Sequence, residues 1–374
     1  MPSNLLTTPP DRETPSWHHT VSRYQRADLR RGAWQLANTF LPFFALWYGM
    51  YLSLGVSYWL TLVMAIPAAG LMVRVFIIFH DCGHGSFFRS QKANDVLGVL
   101  TGIMTFAPYY QWRHEHAVHH ATAGDLDRRG IGDVWTATVK EYLQFPRWKR
   151  CVYRLFRNPV MMFGVMPLVL FLFKYRFARR KAAPRERHSV YAANTAIVGL
   201  GLVMHFTIGL KAFALVHFPI VLISLSAGVW LFYVQHQFED VVWDRGESWD
   251  YVAVALRGSS FYKLPKVLQW FTGNIGYHHI HHLRPRIPNY FLERCQKETP
   301  AFQAVPPLAL LSSLKTVTLR LYNEEDRKLV GFRHLKTLRK KQRSEARRNP
   351  SDHGPGRGRS RTEPTGIGTG GRER

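Results

Sequence analysis

The chain has 374 residues, of which 46% are hydrophobic, and a formal net charge of +25. Its mean hydropathy is slightly negative, yet apolar and basic residues occupy separate stretches, which is typical of an integral membrane protein rather than a soluble one. Three scattered cysteines are too few for a disulfide framework or a cysteine-based zinc site.

The chain begins with a polar segment, residues 1–33, that carries charges and prolines. It contains no short apolar core followed by small residues, so we expect no cleaved signal peptide. Apolar stretches follow at about 34–54 and 58–79, separated by a turn near Gly55. Each stretch is about as long as the roughly 20 residues that cross a bilayer as a helix. Together they predict a transmembrane hairpin.

Four further apolar pieces follow along the chain. Those at 96–110 and 160–173 are short and contain Gly or Pro, which predicts interfacial or re-entrant segments rather than full crossings. Those at 193–210 and 212–234 are long enough to form a second hairpin. Lys and Arg concentrate at 144–187 and near the C-terminus, and basic residues favour cytoplasmic loops. We therefore expect both termini to lie in the cytoplasm.

The composition divides the chain into a polar segment (1–33), a membrane domain (34–330) and a basic tail (331–374). The tail has almost no apolar residue after Leu338, so it is expected to be disordered. Contact with anionic lipid headgroups and simple solvation are both compatible with its composition. Nucleic-acid binding is not predicted, because the rest of the chain is embedded in a membrane.

Histidines carry the strongest chemical signal, since the chain has 18 and most are clustered. The second long apolar stretch ends in HDCGH, and the piece at 96–110 is followed by HEHAVHH. The last long stretch ends at a single histidine, and GYHHIHH follows about forty residues later. On a helix, residues at i, i+3 and i+4 share one face. The spacing predicts eight converging imidazoles: His80, His84, His116, His119, His120, His278, His281 and His282. His236 is a candidate ninth ligand, because it lies where the last long apolar stretch ends.

Two other histidines of the boxes are not on these helix faces. His114 and His279 are rotated away, because each residue of a helix turns by about 100°. Eight or nine imidazoles exceed the four ligands of a structural zinc ion and predict two metal ions. Imidazole binds iron, copper, zinc and nickel, so the count alone does not choose the metal. The predicted fold is an all-α integral membrane protein, with four transmembrane helices in two hairpins and a cytoplasmic helical cap that holds a di-metal site.

Carboxylates near the histidines are candidates to orient them, because a ligating imidazole usually donates its other N–H to a carboxylate or carbonyl. The sequence does not separate such partners from solvated surface charges. Asn274 is a further candidate, as a helix cap or a ligand through water, and His205 and His217 are interpreted as structural. The candidate carboxylates are Asp81, Glu115, Asp125, Asp127, Glu239 and Asp240.

The HxxxH, HxxHH and HxxHH motifs at 80–84, 116–120 and 278–282 resemble the three histidine boxes of membrane fatty acid desaturases. The segments 124–130 and 228–240 are similar to bacterial acyl-lipid desaturases that act near the Δ12 (ω-6) position. The resemblance covers about residues 34–283. It implies insertion of a cis double bond into an acyl chain by two Fe²⁺ ions, with O₂ as oxidant.

The resemblance also implies electrons from a ferredoxin or a cytochrome b5-type donor, and no fused cytochrome b5 segment is evident. Expected partners are an acyl lipid or another fatty acyl substrate, bound in an apolar tunnel, and membrane lipids. A bacterial inner membrane with cytoplasmic histidine boxes is the expected location. No catalytic residue is predicted beyond the metal ligands.

Two alternatives remain open. A di-iron membrane hydroxylase or ketolase of alkanes or carotenoids would add oxygen to its substrate instead of removing two hydrogens. A histidine-rich membrane metal transporter is more distant, because transporters place polar ligands at mid-depth of the membrane. Here the clusters lie at or beyond the ends of the apolar stretches.

Overall fold

The computed structural model describes residues 17–338 and residue 340. The first half of the predicted polar segment and nearly all of the predicted basic tail lie outside these residues. Among these residues, those from Trp17 to Phe332 belong to one compact unit, and those from Arg333 belong to a second unit. The second unit contains a short helical stretch at 334–338.

A helical hairpin opens the larger unit. After α1 (Trp17–Ser22), α2 (Leu29–Ser53) and α3 (Tyr58–Gly83) run antiparallel and pack along their length. The Asp28 side chain caps α2 by accepting a hydrogen bond from the backbone N–H of Arg31 at 3.0 Å, which satisfies a free donor of the first turn. The hairpin predicted at 34–79 is therefore present as a pair of helices.

The middle of the chain consists of shorter helices that cover the end of this hairpin. They are α4 (Gln91–Met104), α5 (Tyr109–Thr122), α6 (Val139–Gln144), α7 (Arg147–Phe156) and α8 (Met166–Leu168). The helix α8 sits within an irregular helical stretch, with π-helical turns at Met161–Val165 and Val169–Phe173 and a 3₁₀ turn at Lys174–Arg176.

A second hairpin follows, formed by α9 (Pro184–Thr207) and α10 (Leu210–His236). Gly209, between them, has a φ of +80°, a value that glycine adopts without strain. The second hairpin was predicted at 193–234, and the helix α9 begins about nine residues earlier than that prediction. The helix α10 packs closely against α3, so the two hairpins share one core.

Small elements complete the unit beyond α10. The helices are α11 (Tyr251–Arg257), α12 (Lys266–Phe271), α13 (His278–Leu283), α14 (Asn289–Glu298), α15 (Pro300–Gln303) and α16 (Leu310–Ser313). The strand β1 (Phe261–Lys263) pairs in parallel with β2 (Pro307–Ala309), and β3 (Leu321–Asn323) pairs antiparallel with β4 (Lys328–Val330). The fold is mostly helical, and the prediction of a wholly α-helical protein missed these two short sheets.

Three described helices are long and apolar enough to cross a membrane, namely α3, α9 and α10. The helices α7 and 161–176 would add a fourth candidate if they are one span bent by 60°. The helix α2, where the first crossing was predicted, is not among them, because polar and aromatic residues interrupt its apolar sequence. The four crossings and the cytoplasmic cap therefore stay predictions.

Candidate metal centre

Four helices bring the predicted histidines to one place. His80 lies in the last turn of α3, and His84 caps its C-terminus. The helix α5 carries the second histidine box, and α13 consists almost entirely of the third. His236 is the last residue of α10. The site is thus formed where the C-terminal ends of the long helices α3 and α10 meet the short helices α5 and α13.

The nine predicted histidines fall into two clusters. Within each cluster, one ring nitrogen from every histidine lies within 4.8 Å of the corresponding nitrogens of the others. The first cluster consists of His80, His84, His116, His120 and His281, and the second of His119, His236, His278 and His282. Two separate groups of imidazole nitrogens match the number of metal ions predicted from the count of ligands.

Each HxxHH box is shared between the two clusters. On α5 the i and i+4 histidines belong to the first cluster and the i+3 histidine, His119, belongs to the second. On α13 the assignment is reversed, because its i and i+4 histidines belong to the second cluster and His281 belongs to the first. The prediction that each set of three shares one helix face did not anticipate this division.

The distances between nitrogens fit metal ligation. The Nε2 atoms of His120 and His281 are 3.0 Å apart, and those of His236 and His278 are 2.9 Å apart. His119 Nε2 lies 3.2 Å from that of His236 and 3.3 Å from that of His282. Two imidazole nitrogens bound at right angles to one ion, at about 2.1 Å each, are about 3.0 Å apart.

The protonation state of these side chains agrees with that role. Outside the long helices α3 and α10, burial, followed by the charges of neighbouring histidines, holds the pKa of six of them well below the usual range: His84, His116, His120, His278, His281 and His282. A neutral imidazole keeps one nitrogen lone pair for a metal. The Nε2 atom of His84 is buried and has no hydrogen-bond partner among the described residues. A bound ion would satisfy it.

Two carboxylates contact histidines of the clusters. Asp81 was predicted as a candidate, and its Oδ1 lies 3.2 Å from His80 Nδ1. Its other oxygen accepts hydrogen bonds from the backbone and side-chain N–H groups of Asn289, at 2.7 and 2.8 Å. Asp133 Oδ1 lies 2.5 Å from Nδ1 of His119. Both carboxylates can orient an imidazole by accepting its Nδ1–H.

The sequence analysis missed Asp133, although a signal is present. The preceding residue, Gly132, has a φ of +73°, and a Cβ atom there would lie 2.9 Å from the Cβ atom of His119. Only glycine lets the loop pass this close to α5 and present the carboxylate. A Gly-Asp pair shortly after an HxxHH box is therefore a sequence signal for a carboxylate that orients a histidine of that box.

The other candidate carboxylates have different partners. Asp125 accepts hydrogen bonds from the backbone N–H groups of residues 127 and 128, and Asp127 forms an ion pair with Arg245. Glu115 lies near Tyr175 and Arg179. Among the described residues, Glu239 and Asp240 make no side-chain hydrogen bond or ion pair with a histidine of the clusters.

His114 and His279, the two histidines predicted to point away from the shared helix faces, are not members of either cluster, and neither is Asn274. His279 is fully buried, with its Nε2 atom 2.9 Å from Oε1 of Gln296 on α14, and burial lowers its pKa to about 4. His114 is about half exposed and lies 3.3 Å from Glu186. Asn274 adopts a φ of +59° and bonds to Gln269 and to the backbone of residue 289, which makes it a local structural residue here.

A cavity of about 410 Å³ lies beside the clusters, a size usual for small-molecule sites. His80 and His116 of the first cluster and His278 of the second line it. From Gln235 to Val221 it follows α10 over about 21 Å. Most of its walls are apolar, including Met72, Phe76, Phe171, Leu225 and Phe232.

One corner of the cavity is polar. Glu115, Lys174 and Tyr175 line it together, and the Tyr175 hydroxyl donates to Glu115 at 3.4 Å. Burial raises the pKa of Glu115, and the positive charge of Lys174 is the strongest influence in the opposite direction. The cavity is therefore an elongated apolar space with histidines on its wall and charged groups at one corner.

Comparison with known proteins agrees with this arrangement. The Fatty acid desaturase family model matches residues 57–307, more than half of the chain. A Bacillus subtilis protein named fatty acid desaturase is 49% identical over 318 residues, which cover 85% of this chain and 90% of that protein.

More distant relatives carry more specific names. The Arabidopsis thaliana chloroplastic sn-2 acyl-lipid omega-3 desaturase (ferredoxin) is 29% identical over 63% of this chain and 52% of its own length. The Synechocystis sn-1 acyl-lipid omega-3 desaturase (ferredoxin) is 26% identical over 64% of this chain and 65% of its own length. Taken with the Bacillus relative and the family match, the histidine clusters identify the chain as a member of the fatty acid desaturase family, an oxidoreductase of lipid metabolism.

Proposed function

We propose that the chain inserts a cis double bond into a fatty acyl chain, using O₂ and two iron ions held by the nine histidines. The observation that carries this proposal is the placement of both histidine clusters on the wall of one elongated apolar cavity. The nitrogen distances fit two metal ions, and the lowered pKa of buried ligands such as His282 favours the neutral imidazole that binds a metal. Iron bound there would supply the activation of O₂ needed to remove hydrogen from an unactivated methylene.

The residues of the chain itself have three tasks in this reaction. The apolar walls bind the acyl chain, and the favourable free energy comes from removing its methylenes from water. The histidines that face the cavity fix where the reacting carbons lie relative to the metal ions, and an error of about 1 Å can cost about a hundredfold in rate. Asp81 and Asp133 hold His80 and His119 in orientation.

Desaturation is preferred over hydroxylation because the family match and the 49% identical relative both concern desaturases. The acyl-lipid names of the plant and cyanobacterial relatives support a lipid-linked substrate, and their ferredoxin designation supports a ferredoxin as electron donor. A cytochrome b5-type donor is the alternative. The Δ12 (ω-6) position rests on the resemblance of segments 124–130 and 228–240, whereas those relatives are named omega-3 desaturases.

The location we propose is a bacterial inner membrane, with the histidine clusters on the cytoplasmic side. The three apolar helices and the density of basic residues around 144–187 support it. In this arrangement the cavity lies where α3 and α10 reach the membrane surface, so an acyl chain can enter from the bilayer.

Expression in a host that makes only saturated and monounsaturated lipids tests the activity. Fatty acids from these cells are analysed by mass spectrometry with location of double bonds. A product lighter by two hydrogens, absent from a His282→Ala variant and dependent on iron in the medium, is expected. A product heavier by one oxygen would assign the chain to the hydroxylases instead.

A further inference from the structure

The polar corner of the cavity contains a cation with no role in the metal centre. Lys174 lines the cavity and is exposed. Phe173 and Phe177 on either side of it are 63% and 72% exposed. Exposed phenylalanines beside a lysine are typical of a segment at the bilayer surface, where the rings insert among the acyl chains and the ammonium stays at the headgroup level. The cavity therefore reaches the bilayer surface at Lys174.

The charges around Lys174 leave its ammonium group available. The nearby carboxylate, Glu115, also lies 3.7 Å from Arg179, which in turn contacts Glu186 at 2.7 Å. Within residues 17–338, Lys174 forms no ion pair at 4.0 Å or less. An ammonium group at the edge of an apolar cavity can form a strong, charge-assisted hydrogen bond with an anion that is part of the ligand.

An acyl chain in this cavity brings such an anion only if its carrier has one. The chain itself is uncharged, and its esterified end must leave the cavity at a polar opening. Phosphate is the anion next to the ester in a glycerophospholipid, and coenzyme A also carries phosphates. An uncharged glyceride would leave Lys174 without a partner, and a free fatty acid would present a carboxylate instead of a phosphate.

We propose that Lys174 binds a phosphate group on the carrier of the acyl chain, and that this carrier is a membrane phospholipid. This inference rests on the proposed function. The exposed Phe173 and Phe177 favour the phospholipid, because exposed apolar rings are stable in a bilayer and not in the cytosol, which places the opening at the bilayer surface. The contact fixes the carboxyl end of the substrate while the histidines act further along the chain.

Kinetics of the purified, iron-loaded enzyme, supplied with O₂ and with reduced ferredoxin as electron donor, test this site. Phosphatidylglycerol, diacylglycerol and acyl-coenzyme A with one identical acyl chain are supplied in micelles of an uncharged maltoside detergent. For phosphatidylglycerol, Lys174→Gln should raise KM about fivefold and leave kcat near the wild-type value. KM for diacylglycerol should not change. Lys174→Arg should restore the wild-type KM, and Lys181→Gln, an exposed cation outside the cavity, is the matched control.

The outcomes separate the two proposals. Absence of any desaturated product from the wild type refutes the proposed function. The phosphate site can then still be judged from phosphatidylglycerol bound per protein, measured by native mass spectrometry for the same variants. A KM increase confined to acyl-coenzyme A identifies that carrier and refutes the phospholipid. Equal behaviour of Lys174→Gln and Lys181→Gln, in both kinetics and binding, overturns the inference.

Discussion

Two histidines of the third box provide the sharpest test of the metal centre. His279 and His282 lie three residues apart on α13, and both are buried. The Nε2 atom of His282 faces the second cluster, 3.3 Å from that of His119. The Nε2 atom of His279 faces Gln296 on α14. Replacing each by Ala should therefore have different consequences.

The expected magnitudes follow from these contacts. His282→Ala removes one of four ligands, and loss of even an indirect partner of a metal ligand lowers metal affinity about 10- to 100-fold, so a larger loss is expected here. His279→Ala removes no ligand. It leaves Oε1 of Gln296 buried without a partner and opens a space beside Phe302. We expect a loss of stability on the order of 2–4 kcal/mol with iron retained.

The assay is iron per folded protein, measured after size-exclusion purification, together with the thermal unfolding midpoint. His282→Ala should lose iron and product, and His279→Ala should unfold at lower temperature but keep its iron. His114→Ala, about half exposed and away from both clusters, is the control for removing an imidazole. Equal iron loss in His279→Ala and His282→Ala would refute the assignment of ligands on α13.

Three further predictions concern the loop, the cavity and the topology. Asp133→Asn should weaken iron binding about 10- to 100-fold, measured by competition with a chelator, because the imidazole that it orients loses a charged acceptor. Gly228→Leu should lower product about tenfold or more without loss of iron, since a Cβ atom there would meet no heavy atom within 4 Å apart from its own helix backbone, and the larger side chain would occupy the cavity that Gly228 lines. Gly201→Leu on α9, equally unhindered but outside the cavity, is its control. Reporter fusions after Lys181 and Leu338 should both give a cytoplasmic signal, and an external signal at either would contradict the proposed topology.

The histidines that converge could be predicted from sequence because helix geometry is local. An i, i+4 pair such as His80 and His84 projects to one side wherever the helix lies. His236 was predicted from its place at the end of an apolar stretch, and the structure brings it within 2.9 Å of His278. For His80 and His84 the relevant distance is set by one turn of one helix, whereas the approach of His236 to His278 also depends on how α10 meets α13.

The division into two clusters could not be predicted in the same way. It depends on where α3 and α10 end relative to α5 and α13, and these positions are set by packing between segments far apart in sequence. The contact of Asp133 with His119 depends likewise on the path of a loop. Strands of three residues, such as β1 and β2, are too short to show an alternating pattern.

The shared boxes make the two clusters mechanically dependent on each other. Because α5 and α13 each contribute to both clusters, a shift of either helix displaces ligands of both predicted metal ions. The rings of His120 and His282, from opposite clusters, stack with their centroids 4.2 Å apart, so neither can move far alone. If each of these helices contributed histidines to one cluster only, a shift of one helix would leave the ligands of the other cluster in place. Because α5 and α13 each hold histidines of both clusters, the same two helices would set the spacing between two bound ions.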